Sequence, residues 1–339
     1  LGILVIVTAD MLSVDGRYLS DANYVNKLDK RFPFEPTAAD RVILTQEQQA
    51  IADFDEQVDA AKARWEDRLD AKLTRRYSRV IDAAAFEVLN ANSHFRVFEL
   101  SNPFSDARTS YFHKSVGGYH GAKLRRYQEF IEGVLTGERA AVIQSIQSGN
   151  YNLDASVAPG LAMLNTKYLL VPGAEQPLPF RGGLGSAWFV DEVKWVDSAE
   201  EELSNVKGLD PATTAVVNRE FEETLGSVNR PGNSSVRLEK YHPEGSTYKV
   251  ESAQGGLLVL SEVDYPVGWS ATVDGDAVEL VRANALLMAL EVPSGAHEVQ
   301  LSFEPEGWST ARGMSRAGSL VWVFVLGLCF WQNRRQGQD

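Results

Sequence analysis

Cysteine is all but absent. Cys329 is the one thiol in 339 residues, which excludes a disulfide framework and any cysteine-based zinc site. It lies in an apolar run, where a thiol behaves as a small hydrophobe. Positive charge is also in deficit, with 33 lysines and arginines against 46 aspartates and glutamates and a formal net charge of −13. That balance argues against nucleic acid as a partner, because a phosphate backbone needs a basic footprint. No metal-ligand or nucleotide motif is found, so no cofactor is assigned. The longest apolar runs lie at the two ends.

What is present describes a folded protein. Hydrophobic residues make up 44% of the chain and charged ones 23%, a globular composition long enough for two domains. Leu1-Gly2-Ile3-Leu4-Val5-Ile6-Val7 suggests the end of a transmembrane helix over residues 1–12. No basic region precedes it and Asp10 stands where a small-residue cleavage site would be, so a signal peptide is disfavoured. Ala317 to Trp331 carries no charge. It reaches the roughly 20 residues of a span only if the helix runs over 313–332 with Arg316 snorkelling. A buried C-terminal core helix is the other reading. Arg312 and Arg316 balance Arg334 and Arg335, so the positive-inside rule leaves orientation open.

Between these ends the expected fold class is α+β. A mixed α/β domain is expected over 13–230, and an antiparallel β-sandwich over 231–308. Tyr18 to Arg31 is polar loop. From Gln46 to Val88 the apolar residues Ile51, Phe54, Val58, Ala61, Trp65 and Leu69 recur at helical steps. They predict one long amphipathic helix, or a broken pair packed on itself. Phe95 to Leu100, Lys167 to Val171, Ala187 to Val196 and Thr213 to Val217 predict strands, with helices after Gly118 and from Glu138 to Ile146. Beyond Ser234, short β runs alternate with turn signals. Asp274-Gly275 is a type I′ hairpin signal, and Pro293-Ser294-Gly295 punctuates the next pair. His297 shares its face with Val299, Leu301 and Phe303, which marks it as structural.

Chemistry concentrates in Ser110 to Tyr127. His113, Lys114, Tyr119, His120, Lys123, Arg125, Arg126 and Tyr127 surround Gly117-Gly118. A Gly-Gly turn delivering a helix N-terminus beside cations suits an anionic ligand. His120 falls on the stripe of Leu124, Tyr127 and Ile131, which also fits a hydrogen-bonded core histidine. Arg125 and Glu129 are spaced for a surface i,i+4 pair. Trp269 is either core or rim, or a platform for a sugar ring.

Several stretches carry a family likeness. The run from Asp264 to Gly275 (Asp-Tyr-Pro-Val-Gly-Trp-Ser-Ala-Thr-Val-Asp-Gly), then Arg282-Ala283-Asn284 and Pro293-Ser294-Gly295-Ala296-His297, resembles the C-terminal domain of YfhO-type bacterial membrane proteins. Ser110 to Tyr127, Leu164-Asn165-Thr166-Lys167-Tyr168 and Phe34 to Asp40 resemble it too. The resemblance implies a multi-spanning glycosyltransferase of the GT-C type in the bacterial cytoplasmic membrane, with this chain largely extracytoplasmic. It implies a polyprenyl-phosphate-linked sugar as donor, a cell-envelope polymer as acceptor, the lipid bilayer as partner, and a catalytic acidic residue outside this chain. Lys123, Arg125 and Arg126 would then offset phosphate charge, while His113, Tyr119 and His120 line donor or acceptor. A non-enzymatic, membrane-anchored envelope polysaccharide-binding or assembly protein is the rival expectation.

Overall fold

A computed structural model of the chain describes residues 2–18, 30–68, 77–226, 229–305 and 307–336. The fold is mixed α+β and divides into two compact units. One comprises Leu1–Asn92, Val97–Tyr119 and Tyr168–Leu178, and the other Ser93–Arg96, His120–Lys167 and Pro179–Asp339.

The first unit is mainly helical: α1 (Gly2–Tyr18), α2 (Ala38–Glu47), α3 (Phe54–Arg68) and α4 (Tyr77–Asn92), then the short α5 (Arg108–Phe112). The periodic stretch from Gln46 is therefore the broken pair. The pair is α3 and α4; ahead of it, α2 is set off from α3 where Ile51 is extended and Asp53 is left-handed at φ 52°. Residues 69–76 lie outside those described. Ala61 meets Ala84 and Val88 at the α3–α4 contact, with Phe54, Val58 and Trp65 packed around them. Trp65 donates its Nε1–H to Glu87 at 2.8 Å. Strands β1 (Arg96–Glu99), β2 (Thr166–Leu170) and β3 (Leu178–Pro179) form a three-stranded sheet in that order.

In the second unit a helical stretch opens with α6 (Arg125–Phe130), passes through a π-helical turn, Ile131–Leu135, and continues as α7 (Thr136–Gln147). Sequence periodicity placed a break at that turn. Instead the ladder widens, and the Thr136 hydroxyl donates to the Ile131 carbonyl at 2.8 Å. The short α8 (Pro159–Met163) follows.

Two sheets then enclose one apolar core. Strands β4 (Ala187–Phe189), β5 (Glu192–Val196) and β6 (Thr214–Asn218) precede β7 (Ser234–His242), β8 (Gly245–Ser252), β9 (Gly256–Val263) and β10 (Trp269–Val273). After them come β11 (Asp276–Val278), β12 (Val281–Ala283), β13 (Leu287–Val292) and β14 (Gly295–Phe303). One sheet runs β11-β10-β14-β8-β7, the other β4-β9-β13-β12-β6-β5. Only β5–β6 is parallel among the pairings in the two sheets. Strands drawn from 187–218 thus complete a sheet with those beyond residue 256. Ala187 to Val196 is two strands on opposite edges, because the Asp191 and Glu192 amides both turn to the Thr213 carbonyl, at 2.7 and 3.0 Å. Asp274 and Gly275, at φ 53° and 94°, make the expected two-residue hairpin between β10 and β11.

The Arg282-Ala283-Asn284 motif is structural. Asn284 is left-handed at φ 54° and fully buried. Its side-chain oxygen accepts from the Val216 amide at 2.8 Å, and its own amide donates to the Val216 carbonyl at 2.7 Å. Arg282 pairs with Glu202 of α9 (Ala199–Val206) at 3.1 Å. Past β6 the chain makes α10 (Glu222–Leu225), and after β14 it ends in α11 (Trp308–Gln336).

The flanking segments 1–12 and 313–332 were expected to span a membrane. Both are helical, but among the described residues no helix is long and apolar enough to cross one. Asp10 and Asp15 interrupt α1, and Arg312 and Arg316 occupy the first turns of α11. Their apolar side chains are nonetheless open, among them Ile3, Ile6 and Leu12 on α1 and Leu320, Trp322 and Phe324 on α11.

Asn284→Ala should destabilise the second unit by about 2–4 kcal/mol, adding left-handed strain to an orphaned Val216 amide. Asn284→Gly, which removes the bond but not the permitted φ, should cost less. Urea midpoints of the two variants test this order.

Candidate functional site

In the first unit the polar residues gather on one buried carboxylate. Thr37 caps α2 in a reciprocal box: its amide and hydroxyl both reach Asp40 Oδ2 at 2.7 Å, while the Asp40 amide donates back to Thr37 Oγ1 at 3.3 Å. Asp40 has no exposed surface. Its Oδ1 lies 3.1 Å from His113 Nε2, and the Arg108 guanidinium, stacked over Phe112, closes on Oδ2. Burial alone would raise the Asp40 pKa. Hydrogen bonds and charge from His113, together with the Thr37 donors, outweigh it and hold the group at about 2.

His113 Nε2 faces the carboxylate and donates to it. Nδ1 is buried with no hydrogen-bond partner among the described residues, and the ring stands edge-on to Phe86 at 5.2 Å. Arg108 and Thr109 also border a cleft of about 370 Å³, with Glu99, Ser101, Asp106 and the loop 170–175. Three carboxylates (Glu99, Asp106 and Glu175), hydroxyl groups and a guanidinium already engaged suit a hydroxyl-rich ligand better than an anion.

The second unit holds a different network. Arg96 donates through Nη1 to the Leu164 carbonyl and to Ser261 Oγ, both at 2.9 Å, with Glu262 3.6 Å from Nη2. His94 Nε2 lies 2.7 Å from Glu262. Its Nδ1 is 3.3 Å from the Asn165 amide nitrogen, which can only donate, so the ring carries its proton on Nε2. Tyr241 stands edge-on to His94 at 5.2 Å. Asn165 is left-handed at φ 50°, so the Leu164-Asn165-Thr166 motif serves to orient His94 and Arg96. Burial pushes the Tyr127 phenol up to about 12, against the pull of Arg96.

The residues singled out from sequence are divided between the two units. His113, Lys114 and Tyr119 belong to the first, and His120, Lys123, Arg125, Arg126 and Tyr127 to the second. His113 is buried on Asp40, Lys114 is half-buried with its amide held by Asn90, and Tyr119 is exposed. The expected helix does not begin at Gly117-Gly118. It begins at Arg125, so His120 is not on its apolar stripe but exposed in a turn, its Nδ1 accepting from the Ala122 amide at 3.1 Å. The glycines answer a packing need instead, since a Cβ on Gly117 would lie 1.9 Å from the Pro103 carbonyl oxygen. Arg125 forms the expected pair with Glu129 at 2.8 Å, and Arg126 is bound to Asp264 at 2.7 Å. Trp269 is half-buried against the two-sheet core, 5.0 Å from the Phe303 ring. Asp40, Arg108, His94, Arg96 and Glu262 were not anticipated. Only the Thr37–Asp40 cap left a local trace.

Part of this chain is similar to a family of bacterial membrane proteins. Residues 214–314 match the family described as bacterial membrane protein YfhO. The match runs from β6 into the first turns of α11 and includes Asp264–Gly275, Arg282-Ala283-Asn284 and Pro293–His297. No curated protein matches the chain.

Two buried carboxylates should give opposite pH signatures. Asp40, lowered to about 2, contributes stability that is present above about pH 4 and lost as pH falls through about 2, worth about 2 kcal/mol. Asp40→Asn should remove that acid limb. Burial raises Glu138 to about 7, against amide bonds from Gly160 and Leu161 at 2.6 and 3.0 Å. Its contribution is full below about pH 4.5 and lost as pH rises through about 7. Glu138→Gln should flatten that limb. Stability measured from pH 2 to 8 reads both.

Proposed function

We infer that this chain is the outward-facing part of a membrane-associated glycosyltransferase that takes sugar from a polyprenyl-phosphate donor to a cell-envelope polymer. The observation that carries the reading is the YfhO match over residues 214–314. The exposed apolar side chains of α1 and α11 support association with a bilayer. In the reaction the acceptor hydroxyl oxygen bonds to the anomeric carbon as the bond to the lipid phosphate breaks. A carboxylate outside this chain takes the hydroxyl proton, and the phosphate leaves as an anion.

Within the Ser110–Tyr127 segment, the residues that fit an electrostatic role are His120 and Lys123. Among the described residues no carboxylate pairs with either, whereas Arg125 and Arg126 are engaged by Glu129 and Asp264. A phosphate contact by those arginines would first have to break an ion pair.

The test is mass analysis of envelope polymers from cells carrying the full-length gene, its deletion, or the His120→Ala/Lys123→Ala double variant. Loss of a glycan on deletion and at least a tenfold fall in the variant, the effect of losing electrostatic donors to the leaving phosphate, is the expected result. An unchanged polymer on deletion would refute the transferase. An unchanged polymer in the variant alone would refute only the site.

A further inference from the structure

At one end of the two-sheet core, a set of apolar and aromatic side chains is left open where α11 departs. The loop 264–268 packs against the segment just before α11. The Glu304 amide donates to the Gly268 carbonyl at 2.7 Å, and a Cβ on Gly268 would lie 3.0 Å from the Phe303 ring and 3.1 Å from Pro305. Phe303 is flanked by Trp269 at 5.0 Å and Tyr265 at 6.0 Å. The Trp308 amide then donates to the Pro305 carbonyl at 3.1 Å as the helix begins. Tyr265, Val267 and Trp308 are 44, 48 and 57% exposed. They stay open although Trp269 and Phe303 pack together beside them.

Charge is laid out in order along the same axis. Asp264, at the base of the loop, is neutralised by Arg126. Glu244 and Glu304 are exposed at this end of the sheet. Beyond Trp308 come Arg312, whose guanidinium lies 5.7 Å over the Trp308 ring, and Arg316 one turn further. Among the described residues neither arginine has a carboxylate partner. After them no charge occurs until Arg334, and Leu320 to Phe324 are all more than 60% exposed. Amphipathic aromatics and cations gathered at the foot of a bare apolar run are the side chains that meet a bilayer interface.

We propose that Tyr265, Val267 and Trp308, together with Arg312 and Arg316, form a rim that rests in the headgroup layer of a bilayer containing anionic lipid. The rim sets the second unit on the membrane by this end. The proposal rests on the membrane-associated reading above and needs no helix to cross. A bilayer is the occupant that the chain itself argues for, because the rim is continuous with the open apolar stretch of α11. The two arginines also complement acidic headgroups in a protein whose surface is otherwise acidic. Glu244 and Glu304 oppose that attraction, so it falls to Arg312 and Arg316.

The test uses the full chain with Cys329→Ser and a single environment-sensitive label introduced through Val267→Cys. The control carries the label through Asp276→Cys, beyond the far end of β10 and roughly 13 Å away along the strand. Each is mixed with phosphatidylcholine vesicles with and without phosphatidylglycerol, followed by flotation and by quenching from headgroup-depth nitroxide lipids. The 267 label should shift to the blue and be quenched while the 276 label stays water-like. Arg312→Gln/Arg316→Gln should weaken partition roughly tenfold on the anionic vesicles and leave the neutral ones unchanged. A chain that floats with both labels water-like would overturn the rim and keep membrane association. A chain that stays off every vesicle would overturn both. Equal partition of the arginine variant on anionic vesicles would overturn the lipid-charge part.

Discussion

The second unit depends on burying two sheet faces against each other. Residues 257–261 of β9 are buried, and β13 is buried at every position but Glu291. Leu258, Leu260, Met288 and Leu290 face Tyr248, Val250, Val299 and Leu301 in one cluster. At 2–5 kcal/mol for each large side chain truncated in such a core, this contact outweighs any ion pair in the molecule. Everything at the edges is arranged around it. The Asn284 turn hooks β12 onto β6, Glu202 receives Arg282 and the Ala285 amide, and the hairpin at Asp274 holds His297 at 2.6 Å.

The acidic excess has a structural explanation in part. Asp40, Glu138, Glu202 and Glu262 each sit among donors inside or at the edge of a core. A buried carboxylate costs several kcal/mol unless its lone pairs are filled, and here they are filled by backbone amides as often as by cations. Glu138 takes two amides at the start of α8. Asp40 takes an amide, a hydroxyl, an imidazole and a guanidinium. These groups fix helix ends and loop crossings, and removing one would leave stranded amides rather than a free surface. It follows that few of the described carboxylates within the cores are open to chemistry.

Legibility in the sequence followed the distance over which each feature is determined. The Asp274-Gly275 hairpin and the Arg125–Glu129 pair are settled within four residues, and both stand where local chemistry put them. The broken helix pair was one of two readings of a single periodicity. What separates them is the packing of Ala61 on Ala84 and Val88, a tertiary contact that leaves no mark in an apolar pattern. The His113–Asp40 contact joins residues 73 apart, and His94–Glu262 residues 168 apart. No periodic or motif signal connects such positions, so the histidine was visible and its partner was not. The Gly117-Gly118 pair shows the converse error. A glycine pair is legible as a breaker, but whether it starts a helix or admits a neighbouring carbonyl is decided by Pro103.

Cation placement bears on the proposed lipid-borne substrate. Apart from Arg312 over Trp308, the arginines with resolved contacts are mostly bound inward or to neighbouring acids: Arg96 to Glu262, Arg108 to Asp40, Arg126 to Asp264, Arg282 to Glu202. A soluble anion diffusing freely would meet a repulsive surface of net charge −13, lowering its encounter rate. A phosphate held at a bilayer escapes that penalty, because the lipid supplies its own attraction and restricts its search to two dimensions. Were the donor the proposed lipid-linked sugar, an acidic surface with Arg312 and Arg316 at the foot of an apolar helix would meet it at the membrane. The same surface is poorly suited to capture one from solution.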